Sequence, residues 1–388
     1  MSKNIILCSD GTNNKGGIGH PTNVWKIFNS VDLQSYKVRG SIQPEQVAFY
    51  DDGVGTDRLK LLKLLGGAFG WGLTRNVKDL YRHLAKNFER GDHIYLFGFS
   101  RGAFTVRTLA GFITKCGIIS ASSCRDKKEL DGLIDHAYDC YRLDYKKRLF
   151  DIIMVLWRLI RRRPKPVNAA TFRKTHGVVC DPLDYRHYRE ASKWSEELAE
   201  QRKIPIRFMG VWDTVDAVGF PLPWMARFWN NAIYHFKFPD YILNPLVDKA
   251  CHALSIDDER KTFHPLVFEE KHESDADDPR VEQVWFPGVH SNVGGGYPKQ
   301  GLASVTLAWI VKKAGDCGLA LESDALTGIH RDRNIQDKLY DSRAGAAFFY
   351  RYKPRDIAAI CERSHARRIR IHVGTFQRIA RRTDGYAP

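Results

Sequence analysis

Gly98-Phe99-Ser100-Arg101-Gly102 reads G-x-S-x-G, a pattern that holds a serine hydroxyl out at a sharp turn where it can act as a nucleophile. Five loosely specified positions recur by chance, and the competing interpretation is an ordinary strand-to-helix turn carrying a small residue. The flanks favour the first. Gly91-Asp92 punctuate a turn, and His93-Ile94-Tyr95-Leu96-Phe97 form a short apolar run that reads as a buried strand. Ala103 to Ile113 then carries apolar residues at helical spacing. A glycine on either side lets the chain turn where a Cβ would clash. The turn lifts Ser100 above the sheet edge, and the N–H of Arg101, at a helix N-terminus, points at the same spot.

A serine hydroxyl is a poor nucleophile at neutral pH. It needs a base within reach, and the base needs a carboxylate that fixes its tautomer. In α/β-hydrolases these follow in the order Ser, Asp/Glu, His, each on a loop just past a strand. Ile206 to Trp212 is an apolar strand run that ends at Asp213, so that carboxylate emerges at the sheet's C-terminal edge; Asp216 competes from further into the loop. Either aspartate could instead cap the following turn. Val281 to Phe286 is another strand, followed by Pro287-Gly288-Val289-His290 and the glycines Gly294-Gly295-Gly296. Of 14 histidines, His290 alone combines chain order, a post-strand loop and a glycine-rich surround. His252, His264 and His272 are its rivals, and the Leu254–Arg260 stretch between the first two reads as a charged helix-loop segment of structural role. An oxyanion needs two N–H donors. Arg101 supplies one; Gly11 or Thr12, in the loop after the first strand, is the candidate for the other, with Asp10 able to orient that loop. Asp10, Asp51 and Asp52 lack accompanying His or Cys ligand spacing, so neither a metal nor any other cofactor is expected.

The elements that position these residues alternate. Asn4 to Ser9 is a strand, Thr22 to Val31 a helix, Gln46 to Tyr50 a strand and Leu73 to Glu89 a helix leading to the serine strand. That rhythm predicts an α/β fold, with a mostly parallel sheet covered by helices on both faces. Residues 120–204 break it, being helical, charged and poor in strand signals, and are expected to form a helical cap inserted over the strand ends. Within them, Leu149 to Ile160 is mostly apolar between Lys146-Lys147-Arg148 and Arg161-Arg162-Arg163-Pro164-Lys165, either a buried cap helix or one that lies in a membrane interface. Leu302 to Ala314 is a helix. The arginine-rich tail, with Ile369, Ile371, Val373 and Phe376 interleaved, reads as a strand with a basic outer face. No repeat or low-complexity linker interrupts the 388 residues, so one domain, 1–388, is expected.

The net charge of +15 favours acidic partners, including anionic membrane surfaces. No nucleic-acid motif accompanies the basic residues, which counts against that partner. Eight scattered cysteines without a C-x-x-C pair suggest reduced thiols. The N-terminus lacks a leader pattern, and no run approaches the roughly 18 apolar residues of a membrane span. A cytoplasmic protein is expected, with peripheral membrane contact or leaderless export as further options. Oligomeric state leaves no mark in the sequence.

Several of these pieces together resemble one known family. They are Ser9-Asp10-Gly11-Thr12-Asn13-Asn14, Tyr50-Asp51-Asp52-Gly53-Val54-Gly55-Thr56, Gly66-Gly67-Ala68-Phe69-Gly70, Gly98-Phe99-Ser100-Arg101-Gly102, Gly210-Val211-Trp212-Asp213-Thr214-Val215 and the Trp285–Tyr297 stretch. In order and wording they resemble the α/β-hydrolase-like catalytic domain of type VI secretion phospholipase effectors, over most of residues 1–310. The resemblance implies a lipolytic serine esterase acting on phospholipid acyl esters, with Ser100, Asp213 and His290 as its triad. Larger effectors of this type carry C-terminal membrane-anchoring modules, and no counterpart is read here. Two other readings stand beside it: an esterase or thioesterase of soluble acyl substrates, and a non-catalytic basic protein that binds anionic membrane or nucleic acid.

Overall fold

A computed structural model of the chain describes residues 2–11, 14, 16–33, 37–38, 41–42, 45–53, 68–143, 164–176, 178–180, 206–215, 242–270, 278–366 and 368–388. Six strands form one sheet: β1 (Asn4–Ser9), β2 (Gln46–Asp51), β3 (His93–Phe99), β4 (Ile206–Trp212), β5 (Ala250–Ser255) and β6 (Val281–Phe286). Their spatial order is β6-β5-β4-β3-β1-β2, and every neighbouring pair is parallel. The helices are α1 (Asn23–Ser30), α2 (Ala68–Asn87), α3 (Arg101–Cys116), α4 (Lys127–Leu143), α5 (Ala169–His176), α6 (His290–Gly294), α7 (Gly301–Asp316), α8 (Ser323–Arg331), α9 (Ile357–Arg363) and α10 (Val373–Ala380). The class is therefore α/β, as the alternation of elements predicts.

The strands read as unbroken apolar runs because both faces are covered. In β1, Ile5 and Leu7 enter one core, with Leu80 and Leu84 of α2 and Leu109 of α3. Ile6 and Cys8 enter a second core, with Val24 and Ile27 of α1 and Leu307 of α7. Leu96 of β3 joins the first core, and its neighbours Tyr95 and Phe97 join the second. Thr22 caps α1, its hydroxyl accepting the Trp25 N–H at 3.2 Å. The chain runs outward from β1 to β2 and returns past β1 to β3. Strand order thus reverses between β1 and β3, and the crevice at the carboxyl ends of those strands is where such sheets bind ligands.

Two expectations are corrected. The Leu254–Arg260 stretch holds no helix: Leu254 and Ser255 end the buried strand β5, Ala250–Ser255, whose polar His252 and Ser255 conceal it from a hydropathy pattern. The tail is not a strand either. Ile371 makes only a single bridge beside Trp285, at the edge of β6. His372 Nδ1 then accepts the Gly374 N–H at 3.1 Å, a cap that turns the chain into α10. Of the 120–204 stretch, α4 and α5 join the first core through Ile134, Tyr138 and Phe172; the basic-flanked segment at Leu149–Ile160 lies outside the described residues. Among the described residues no helix is long and apolar enough to cross a membrane.

Candidate active site

Ser100 sits between β3 and α3 with φ 58° and ψ −121°, a backbone region that side-chain-bearing residues rarely adopt. Such strain costs about 1–3 kcal/mol and persists only where the surroundings enforce it. Here the Ser100 N–H donates to the Trp212 carbonyl of β4 at 3.0 Å, and helix α3 starts hard against the end of β1. That approach requires Gly102, because a Cβ there would overlap the Ser9 carbonyl. Arg101 opens α3, so its N–H belongs to the first turn, whose donors point out of the helix end. The Ser100 hydroxyl makes no hydrogen bond to a described residue.

Asp213 follows β4, also at positive φ (41°), with its N–H donating to the Ala253 carbonyl at 2.8 Å. The turn aims a fully buried carboxylate along the strand ends. Oδ2 accepts from His290 Nδ1 at 2.6 Å, from Arg355 Nη2 at 2.8 Å and from Ser255 Oγ at 3.2 Å. Oδ1 accepts from Arg355 Nη1 at 2.6 Å and from the Ser255 N–H at 3.0 Å. Burial alone would raise this carboxyl, but the Arg355 charge and the hydrogen bonds outweigh it and hold Asp213 well below the usual carboxylate range.

His290 begins the short helix α6, with its ring packed on Phe99 (centroids 4.7 Å) and met edge-on by Phe263 (5.1 Å). Phe99 immediately precedes Ser100, so the ring lies beside the strained turn. Burial lowers the imidazole from its ordinary value, and the Asp213 contact opposes that shift. The loop after β5 fixes the approach of His290: Asp258 Oδ2 accepts the His290 N–H at 3.1 Å, and Asp257 Oδ2 accepts the Gly288 N–H at 2.6 Å. Arg260 pairs with Asp258 at 2.7 Å and covers the Phe263 ring.

The rivals separate on geometry. His252 is a buried strand residue bonded on both sides: Nε2 accepts the Thr214 N–H at 3.1 Å, and Nδ1 faces Gln283 Oε1 at 3.2 Å. His264 Nε2 lies 2.9 Å from the Lys353 carbonyl, away from Asp213. His272, Asp216 and Thr12 lie outside the described residues. Gly11 abuts the nucleophile candidate, since a Cβ on it would stand 3.3 Å from Ser100 Cβ. Its N–H, however, already donates to Asp10 Oδ1 at 2.6 Å. Asp10 is consumed in holding this loop, accepting also from Thr22 Oγ1 at 2.5 Å and Tyr50 OH at 2.6 Å. Sequence reasoning missed Ser255, Asp258 and Arg355; the first two lie on the unrecognised strand and its exit, and the third is 142 residues from its partner.

A strained serine beside a carboxylate-held imidazole, at the point where strand order reverses, is an arrangement suited to nucleophilic acyl transfer. A crystal structure of an uncharacterized protein from Pseudomonas aeruginosa aligns with 86% of this chain and 49% of its own, at 15% identity and a TM-score of 0.42. The uncharacterized protein YEL023C of Saccharomyces cerevisiae is 26% identical over 279 residues, covering 69% of this chain and 33% of its own; the chain spans about a third of the length of that relative. The family model of the T6SS phospholipase effector Tle1-like catalytic domain matches residues 3–313, the greater part of the chain, and the chain belongs to that family.

Proposed function

We propose that the chain is a serine carboxylic ester hydrolase of α/β-hydrolase type that cleaves phospholipid acyl esters, with residues 1–388 forming one domain and 120–204 an insertion in it. The observation that carries this reading is the buried Asp213–His290 contact at 2.6 Å beside the strained turn of Ser100. Asp213 holds the tautomer with the proton on Nδ1, which leaves Nε2 free to accept the Ser100 proton. Ser100 Oγ attacks the acyl carbonyl, and the negative charge that develops on its oxygen is met by the Arg101 N–H. The second donor belongs to the loop after β1. Gly11 has its N–H engaged, which leaves Thr12 as the candidate. Collapse of the tetrahedral intermediate releases the lysophospholipid alcohol, which takes the proton from His290. Water, deprotonated by His290, then hydrolyses the acyl-enzyme and frees the fatty acid.

Labelling by a fluorophosphonate probe, with hydrolysis of a defined phospholipid panel, tests this reading. Ser100 is expected to be the labelled residue, and Ser100→Ala to abolish both signals. Phospholipid hydrolysis that survives Ser100→Ala refutes the assignment.

A further inference from the structure

Arg355 lies beyond the family-matched region, yet it is the cation that grips Asp213. Backbone pairing delivers it: the Lys261 N–H donates to the Arg351 carbonyl and the Lys353 N–H to the Glu259 carbonyl, which ties residues 351–353 to the loop that carries Asp258 and Arg260. Immediately after Arg355, the Asp356 side chain caps α9 by accepting the Ala359 N–H at 2.9 Å. The arginine is thus fixed from both sides, and its side chain is 0% exposed.

A buried charge is costly unless paired and hydrogen-bonded. The guanidinium takes both carboxylate oxygens of Asp213 and two backbone carbonyls: Nη1 also donates to Ser255 O at 2.7 Å and Nη2 to Phe263 O at 2.5 Å. Ser255 ends β5 and Phe263 packs on the His290 ring, so one planar fork joins the carboxylate, a strand end and the aromatic wall of the histidine. Five donors in a rigid plane allow this; a lysine ammonium, a single point, does not.

We propose that Arg355 is a positioning residue of this site: its fork fixes the plane of Asp213, and so the tautomer of His290, and its charge keeps His290 available as a base in mildly acidic medium. The inference rests on the Ser100–His290–Asp213 reading. At the imidazole Asp213 favours the protonated ring and the Arg260 charge disfavours it; Arg355 enters the same balance by compensating the Asp213 carboxylate that it grips. Among the described residues, the other charged groups facing His290 are Asp258, on its backbone N–H, Arg260, paired with Asp258, and Asp257, on the Gly288 N–H; His252 stands behind Asp213, on Thr214. Removing Arg355 leaves the Asp213 charge uncompensated beside the ring.

The test is the pH dependence of Ser100 phosphonylation by a fluorophosphonate in the full chain, with a thermal melt of each variant. Arg355→Gln is expected to move the acidic limb of the profile upward by about one pH unit and to lower the limiting rate. Arg355→Lys keeps the charge and loses the fork, so its limb stays near wild type while the rate falls roughly tenfold or more. A merely structural arginine would lower the melting temperature and leave the limb in place. A folded Arg355→Gln with a wild-type limb overturns the proposal, as does Arg355→Lys with a wild-type rate. If Arg355→Gln does not fold, the rate of Arg355→Lys decides. Wild-type protein that is not labelled at Ser100 overturns the serine-hydrolase reading, and this role with it; labelling with an unmoved limb overturns the role of Arg355 alone.

Discussion

Asp213→Asn is isosteric, and the structure makes its consequences calculable. The carboxylate accepts five hydrogen bonds from His290, Ser255 and Arg355. An asparagine presents an NH2 in place of one oxygen. In one orientation that NH2 faces His290 Nδ1 and Arg355 Nη2; in the other it faces the Ser255 N–H and Arg355 Nη1. Either way donors meet donors, and a fully buried guanidinium loses its counter-charge. Breaking a buried pair on one side costs about 3–5 kcal/mol, which corresponds to a fall in melting temperature of roughly 4–6 °C for a chain of this size. The imidazole also loses the acceptor that fixes its tautomer, with an expected loss of ~10⁴ in kcat. The two effects separate in the double variant Asp213→Asn/Arg355→Leu. Removing the stranded charge is expected to recover stability relative to Asp213→Asn, while activity stays lost. Thermal melts and ester hydrolysis on the same preparations measure both. Asp213→Asn within tenfold of wild-type activity, or a double variant less stable than Asp213→Asn, would refute the reasoning.

Three further perturbations probe the surrounding geometry. Ser100→Ala should reduce turnover by a factor on the order of 10⁴ or more without unfolding the chain, whereas Ser100→Gly, equally inactive, should gain about 1–2 kcal/mol because glycine relieves the strain at φ 58°; denaturant melts give the comparison. Gly102→Ala should destabilise by roughly 1–3 kcal/mol or more, since its Cβ would drive α3 away from the Ser9 carbonyl, and should lower kcat as the turn shifts. Asp51 is raised from 3.8 to about 7, first by burial and then by the charge of Asp79. A carboxyl raised in the folded state contributes stability that is full below its unfolded value and lost as pH rises through its folded one. Asp51→Asn should therefore melt higher than wild type at pH 8 and no higher at pH 4; a gain at pH 4 as large as that at pH 8 would contradict this.

The parts of this fold that could be read from sequence are those where one physical signal dominates. β1, β3 and β6 are apolar runs bounded by polar turns, and Thr22 is a cap followed by helical spacing, so the expected ranges of these elements nearly coincide with the observed ones. Ser100, Asp213 and His290 each follow such a run, and the structure brings the last two into contact at 2.6 Å. β5 was not legible, because its histidine and serine are polar by type and satisfied only through distant partners, His252 by Thr214 and Gln283, and Ser255 by Asp213. The tail misled for a related reason: residues 369, 371 and 373 alternate as in a strand, and the cap by His372 on Gly374 decides otherwise. Arg355 left no local trace at all, being one of 60 basic residues with no motif around it.

The Ser100 turn, Asp213 and His290 all hang from ends of the parallel sheet, within the matched region 3–313. The sheet brings the residues together but supplies no charge to balance a carboxylate with 0% exposure. Asp213 needs either protonation, which would remove its use to His290, or a cation buried with it. Arg355 is that cation, delivered by a segment whose own fixing depends on backbone bonds to Glu259 and Lys261. Those two residues flank Arg260, and the same loop, through Asp258, accepts the His290 N–H. The loop after β5 therefore couples the histidine to the arginine: a displacement that loosens Asp258 from His290 also loosens Arg355 from Asp213. On this account the stability of the 351–355 segment and the integrity of the Asp213–His290 contact are one cooperative unit, and hydrogen-exchange protection of Lys261 and Lys353 should fall together in Asp213→Asn.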